Sequence, residues 1–346
     1  MGNIKKRNIT VDIIKTIAIF GVVMIHTVAG VLTNSSIGGA DFNFGLFWGT
    51  LVRGSVPLFF MCSGALLLDP GKELTLKKLY LHNIARIVAA MLVWATVYKI
   101  YHLYEAGDLG AAAVFDAVKH VLVFDQEFHF YYLHIILVFY VFLPITRFIT
   151  AKADKKLIEY ILAVWFLLGI VYPTLMPYYP LKLFGGITGQ WMINLTYASL
   201  GYGISGYYLT KYPLKLKTAL IMFFAGFLFI FAGTFYMSAK NGALYENFLQ
   251  GTSIGVAVMS AGIFSLSGHI KPGKAGEKAA VYISKASFSI YLSHLLVLYI
   301  LKDHGITADI LPAALSVPLL AALITAVCLS LYFILSRIPV LKKWII

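Results

Sequence analysis

Residues 9–28 read ITVDIIKTIAIFGVVMIHTV. This run extends to Leu32, far beyond the roughly 7–15 residues of a signal-peptide core, and no small-residue cleavage site follows it. It therefore reads as the first membrane span, since a helix needs about 20 mostly apolar residues to cross the hydrocarbon layer. The rest of the chain repeats the pattern. Of its 346 residues 60% are hydrophobic and only 12% charged, with a mean hydropathy of +0.82. A water-soluble domain carries about 25% charged residues, so this apolar excess needs lipid as its solvent.

Ten candidate spans emerge: 10–33, 44–68, 84–104, 129–150, 157–175, 189–210, 218–238, 247–268, 285–301 and 312–334, of which the ninth is short. The fold class expected is all-α: a polytopic membrane bundle forming one domain over 1–346, without a soluble outer domain. Within the loop 105–128, the segment from Ala111 to Phe124 reads as a short interfacial helix. Trp48, Trp191 and Trp344 stand near span ends, as an aromatic belt would place them.

Orientation follows from the basic residues. Ten spans put 20 of the 28 Lys and Arg on one side and five on the other, with Lys15, Arg53 and Arg86 inside spans. Cytoplasmic loops carry the excess of positive charge, so both termini are expected inside. The net charge of +13 would suggest nucleic acid in a soluble protein; here topology accounts for it. The two cysteines, Cys62 and Cys328, supply neither a disulfide framework nor a metal pattern. Phosphate loops, dinucleotide fingerprints, metal-type His pairs and serine elbows are absent.

Buried charge is the informative feature, because an ionisable group in a span is costly and faces the bundle interior. In span one, Asp12 and Lys15 lie three residues apart on one helix face. His26 lies eleven residues beyond Lys15, three turns on, hence on the same face and about 16 Å further along the axis. The simpler alternative is a snorkelling Lys15 paired with Asp12 and a hydrogen-bonded core His26. Arg53 enters span two from the outer side to a depth like that of His26, and Pro57 is expected to kink that helix. Ser63 and Gly64 read first as close-packing residues. Arg86 opens span three at a depth similar to Lys15, and two cations there suit a phosphate-bearing ligand; ordinary positive-inside anchoring is the alternative. His129, Tyr131, Tyr132 and His134 crowd the outer end of span four, where belt residues are common. His294 lies near the middle of span nine, equally compatible with a core role.

At these residues the chain resembles the acyltransferase-3 family of bacterial multi-spanning acyltransferases. Lys15, ten residues and then His26 resemble its first-span pattern, with Asp12 preceding. Arg53 followed by PLFFMCSG, then FYYLHIILVFYVFLP, GYGISGYYL at 201–209 and SFSIYLSH resemble its later motifs, in the family's order. Asn83 stands where the family commonly has the first Arg of an Arg-x-x-Arg pair, leaving Arg86. The resemblance implies a stand-alone, acetyltransferase-like enzyme of the bacterial cytoplasmic membrane. It implies no permanently bound cofactor, with acyl-CoA, acetyl-CoA foremost, as co-substrate. The implied acceptor is a hydroxyl or amine of a cell-envelope glycan or lipid-linked precursor; the implied partners are these and the bilayer, not nucleic acid. On this reading His26 is the general base and Arg53 stabilises the tetrahedral intermediate, while Lys15, Arg86 and Asp12 bind the CoA donor. Ser63, Tyr131, Tyr132, His134 and His294 are candidates for lining the acceptor path or pore. A transporter would use the same polar stripe without covalent chemistry, for a small polar substrate such as an amino acid, and a scaffold would use it only for packing.

Overall fold

In lipid each backbone group must find its partner within the segment, so the apolar runs can only become helices. A computed structural model describes residues 7–184 and 195–346, and among them it contains helices, turns and loops but no strand. In chain order the helices are α1 (Ile9–Asn34), α2 (Ala40–Val52), α3 (Ser55–Leu67), α4 (Leu76–Glu105), α5 (Ala111–Leu122), α6 (Tyr131–Lys152) and α7 (Lys155–Leu175). Then come α8 (Leu195–Lys211), α9 (Leu216–Asn241), α10 (Ile254–Ser267), α11 (Lys274–Asp303), α12 (Ala313–Leu335) and α13 (Pro339–Trp344).

Nine helical stretches among the described residues are long and apolar enough to cross a membrane, with α2 and α3 together making one. The sixth expected span corresponds to α8. Its first part, including Trp191, lies outside the described residues, as do Lys5 and Lys6. Side-chain caps mark several starts: Asn8 accepts from the Val11 amide at 3.3 Å, and Asp154 from the Leu157 amide at 2.8 Å. The helix expected at 111–124 forms as α5. Its exposed Val114, Phe115, Val118 and Leu122 make one apolar face, as an interfacial helix requires.

Two expectations change in detail. The ninth span is not short: α11 has 30 residues. Its first three turns are Lys-, Ala- and Glu-rich, strong helix formers that an apolar window does not register. The second span breaks at Arg53–Gly54 rather than at Pro57 itself. Pro57 has no amide to reach the Arg53 carbonyl and its ring crowds that carbonyl, so the ladder opens four residues earlier.

At the core α1 packs against α2, α3, α11 and α12. α3 and α8 approach closely through glycines: a Cβ on Gly64 would lie 1.8 Å from the Gly203 carbonyl oxygen, and one on Gly206 2.2 Å from that of Met61. Small residues at such crossings are how membrane helices gain contact without a hydrophobic drive. Residues 7 and 346 lie at the same end of the bundle. Arg7 pairs with Asp12 near the start of α1, while the Ile346 carbonyl accepts from Arg86 near the start of α4.

Candidate active site

Lys15 reaches from α1 into a cavity of about 260 Å³ between α1, α3, α4, α6 and α11. Arg86 enters the same cavity, whose walls include Ser63, Asn83, Tyr132, Tyr140 and Tyr291. A π-helical turn at Leu79–Ile84 widens α4 just before Arg86 and sets His82 and Asn83 on the wall. Such turns recur where a helix must present extra side chains to a site.

The alternative Lys15–Asp12 pair does not form. Arg7 donates two bonds to the buried Asp12 carboxylate, at 2.6 and 2.7 Å, and Ser284 a third at 2.7 Å. A guanidinium fork matches both carboxylate oxygens, which a single ammonium cannot. Asp12 thus ties the chain start to α11 and stays out of the cavity wall. Lys15, half-buried, makes no ion pair among the described residues. Arg86 donates to the Ile346 carbonyl and stands 5.7 Å over the Phe288 ring, while its Nε is buried and unpartnered. Both cations keep donor capacity directed at the cavity.

His26 lies outside that cavity. It opens on a second cavity of about 550 Å³, nearer the other end of the bundle, walled by Thr27, Asn34, Asp41, Tyr299, Lys302 and Asp309. Its ring centroid lies 5.1 Å from that of His294 and 6.4 Å from that of His129; those two are 5.4 Å apart. Three imidazoles from α1, from the turn before α6 and from α11 therefore converge.

Their surroundings differ. His294 Nδ1 lies 2.7 Å from the Tyr291 carbonyl, which can only accept, so Nδ1 carries the proton and Nε2 keeps its lone pair. That Nε2 is buried without a partner. Both ring nitrogens of His129, 1% exposed, are likewise unpartnered. The Tyr291 hydroxyl donates to the His129 carbonyl and so fixes its backbone. The Tyr98 hydroxyl donates to the Leu292 carbonyl and accepts from the Leu296 amide, both at 3.0 Å, bridging two successive turns of α11 beside His294. The Tyr132 and Tyr291 rings, 5.2 Å apart, end the Lys15 cavity, and Tyr291 also touches His129 and His294 at 5.8 and 5.9 Å. Tyrosines and histidines thus form a partition with a cavity on each side.

Not every expected residue belongs here. Arg53, at the α2–α3 break, lines neither cavity, and its Nε is buried and unpartnered. Ser63 lines the Lys15 cavity, but its hydroxyl is bound to the Phe59 carbonyl at 2.9 Å. Tyr131 is exposed at the start of α6, and His134 packs on Phe124 at 6.1 Å, away from the other imidazoles. Tyr132 and His294 are brought to the partition. Sequence reasoning left out His129, Tyr291 and Tyr98 as site members. The one available signal was the position of His129 in the same aromatic stretch as Tyr132. No group of metal-ligating side chains with the geometry to hold an ion occurs among the described residues.

The fold and this partition define a polytopic helical membrane protein with a cationic cavity on one side of a buried histidine cluster and an open polar cavity on the other. The chain matches the acyltransferase-3 model, described as an acyltransferase domain, over residues 8–335 and belongs to that family: it is a membrane acyltransferase. Comparison with curated proteins and with solved structures finds no match.

Proposed function

We propose that the protein moves an acyl group, acetyl foremost, from cytoplasmic acyl-CoA to a hydroxyl or amine of a cell-envelope glycan or lipid-linked precursor, in the bacterial cytoplasmic membrane. The observation that carries this reading is the pair of cavities meeting at one histidine partition. Lys15 and Arg86 supply positive charge on one side, and His26 opens on the other. Orientation rests on the 20-to-5 division of basic residues, which turns the Lys15 cavity and both chain ends toward the cytoplasm.

On this reading the CoA phosphates meet Lys15 and Arg86 while the pantetheine arm points at the tyrosine wall. The acceptor enters the larger cavity, where Asn34, Thr27, Asp41 and Asp309 offer hydrogen bonds and Tyr299 an aromatic surface. Neutral His26 takes the proton of the acceptor hydroxyl as its oxygen attacks the thioester carbon. The tetrahedral intermediate collapses, the C–S bond breaks, and the imidazolium returns the proton to the CoA thiolate. General-base catalysis of this kind contributes about 10²–10⁴ in rate. Asp12 is an anchor of α1 and α11.

The test is transfer of label from radiolabelled acetyl-CoA to candidate glycans by the purified protein, with His26→Gln as control. Glutamine keeps hydrogen bonding without basicity, so transfer should fall at least 100-fold at near-normal CoA affinity. Retention of more than about a tenth of wild-type transfer would place the base elsewhere. Uptake of substrate into liposomes without label transfer would make the protein a transporter.

A further inference from the structure

The acyl-transfer reading leaves one chemical requirement without a residue. When the acceptor oxygen bonds to the thioester carbon, the carbonyl π electrons move to oxygen, and that oxyanion needs a donor set about 3 Å away. Arg53 was the expected donor; neither it nor His129 lines a cavity, but His129 lies against the ring of Tyr291, which lines the Lys15 cavity, at 5.8 Å. Three rings stand where the carbonyl would arrive, and their protonation states separate them. A neutral imidazole has one N–H and one lone pair. His294 has committed its N–H to the Tyr291 carbonyl, so its free Nε2 can only accept. His26 must present its lone pair to act as base. Of the three, His129 alone has both nitrogens buried and unpartnered, hence a buried N–H with no acceptor in the protein, in a residue 1% exposed.

A buried donor left without a partner destabilises the protein unless a ligand supplies the acceptor. Nothing local compels this one. The turn that carries it is fixed through its backbone by the Tyr291 hydroxyl, and the ring is packed edge-on by Phe130 at 4.6 Å and Tyr98 at 5.4 Å. The Tyr291 ring, which ends the Lys15 cavity, lies directly against the His129 ring at 5.8 Å. A thioester passing that tyrosine from the Lys15 side would bring its carbonyl to the imidazole next behind it, with His26 6.4 Å beyond.

We propose that His129 is a further catalytic residue of the acyl-transfer reaction: its ring N–H donates to the acyl carbonyl oxygen and stabilises the oxyanion of the tetrahedral intermediate. This rests on the acyl-transfer reading, but it makes a claim about binding that can be tested without turnover. The donor carbonyl should be recognised in the ground state as well, more weakly than in the intermediate.

The experiment compares two CoA derivatives on the full-length protein. Acetonyl-CoA carries a ketone one methylene beyond the acyl carbonyl position and is not cleaved; S-ethyl-CoA lacks the carbonyl. Wild type should bind acetonyl-CoA more tightly, by a factor of about 10, in keeping with one hydrogen bond of the stronger kind. His129→Phe should lose that preference while its S-ethyl-CoA affinity and the Lys15–Arg86 contribution stay unchanged. It should melt no lower than wild type, since the orphaned donor is gone. Its transfer rate should fall about 10²–10³-fold, the usual effect of deleting one oxyanion donor, and His129→Gln, which restores an N–H, should recover part of it. If phenylalanine proves too large for the site, His129→Leu is the equivalent variant. Persistence of the ketone preference in a folded Phe or Leu variant, or its absence from wild type, overturns the proposal. So does loss of S-ethyl-CoA binding together with a lower melting point, which would make His129 a packing residue. A His129-dependent ketone preference without transfer to any acceptor would leave the carbonyl site standing and bring down the acyl-transfer reading instead.

Discussion

Replacing Lys15 and Arg86 by methionine, singly and together, tests the donor cavity most directly. Methionine keeps much of each side chain's length and apolar stem and removes only the charge. The two cations share a cavity of about 260 Å³, and neither pairs with an aspartate or glutamate side chain among the described residues. A hydrogen bond from a charged donor contributes about 1.5–3 kcal/mol. At about 1.4 kcal/mol per factor of ten, each deletion should weaken CoA binding about 10- to 150-fold. Lys15 belongs near the upper end, because it has no partner to lose when CoA arrives. Arg86 belongs near the lower end, because its guanidinium already donates to the Ile346 carbonyl and would have to share or exchange that bond. If the two grip different phosphates, the double variant should show the sum of the free-energy losses; if they grip the same one, the losses should couple. Calorimetric titration of CoA into detergent-solubilised protein, with the melting temperature measured alongside, gives both numbers. Single variants that bind CoA within twofold of wild type at unchanged melting temperature would show that Lys15 and Arg86 are membrane anchors and that the donor lies elsewhere.

Other substitutions probe the frame around the site. Asp12→Asn should leave CoA affinity unchanged, because Asp12 faces Arg7 and Ser284 rather than the cavity, and should lower stability by about 1 kcal/mol or less, since Arg7 is 44% exposed; a clear loss of CoA binding would contradict this. Tyr98→Phe removes the hydroxyl that joins Leu292 to Leu296, so stability should fall by about 1–3 kcal/mol and transfer should drop with it; a wild-type melting curve would mean that the bridge contributes nothing to α11. Gly64→Ala puts a methyl group 1.8 Å from the Gly203 carbonyl oxygen, so α3 and α8 must separate, at about 1–3 kcal/mol. Its melting temperature in detergent should fall, and an unchanged value would show the crossing to be loose.

Much of the fold was legible because its causes are local. Hydropathy marks a span wherever lipid forbids an unpaired backbone, and the alternation of basic residues then orders the spans; even α5 could be read from its apolar face. What failed locally did so where two neighbours were both eligible. Lys15 and Arg7 each lie within about a turn of Asp12, and periodicity cannot tell which one pairs with it; the bidentate fit of the guanidinium decides. The break in the second span was anticipated at Pro57 and occurs at the carbonyl that Pro57 fails to bond. The site itself was legible as a set of buried ionisable residues but not as an arrangement. His26, His129 and His294 belong to segments remote in sequence, and nothing in FHFYYLH distinguishes the buried His129 from the peripheral His134.

The most consequential difference lies between Lys15 and His26. The sequence suggests one polar stripe linking the two, and their helix face is indeed shared. Along α1 between them, however, Ala18, Ile19 and Val22 are buried, at no more than 2% exposure. The polar path is therefore interrupted on α1 by an apolar belt and across the bundle by the Tyr132–Tyr291 pair. A continuous polar channel would carry water and ions along with any substrate, whereas a closed partition with charge on one side and a histidine on the other is suited to passing a small group between two bound molecules. On that reading CoA need not cross the membrane and neither need the acceptor. Only the carbonyl of the acyl group has to pass the tyrosine layer, and it is there, among the described residues, that buried imidazole nitrogens stand without a partner.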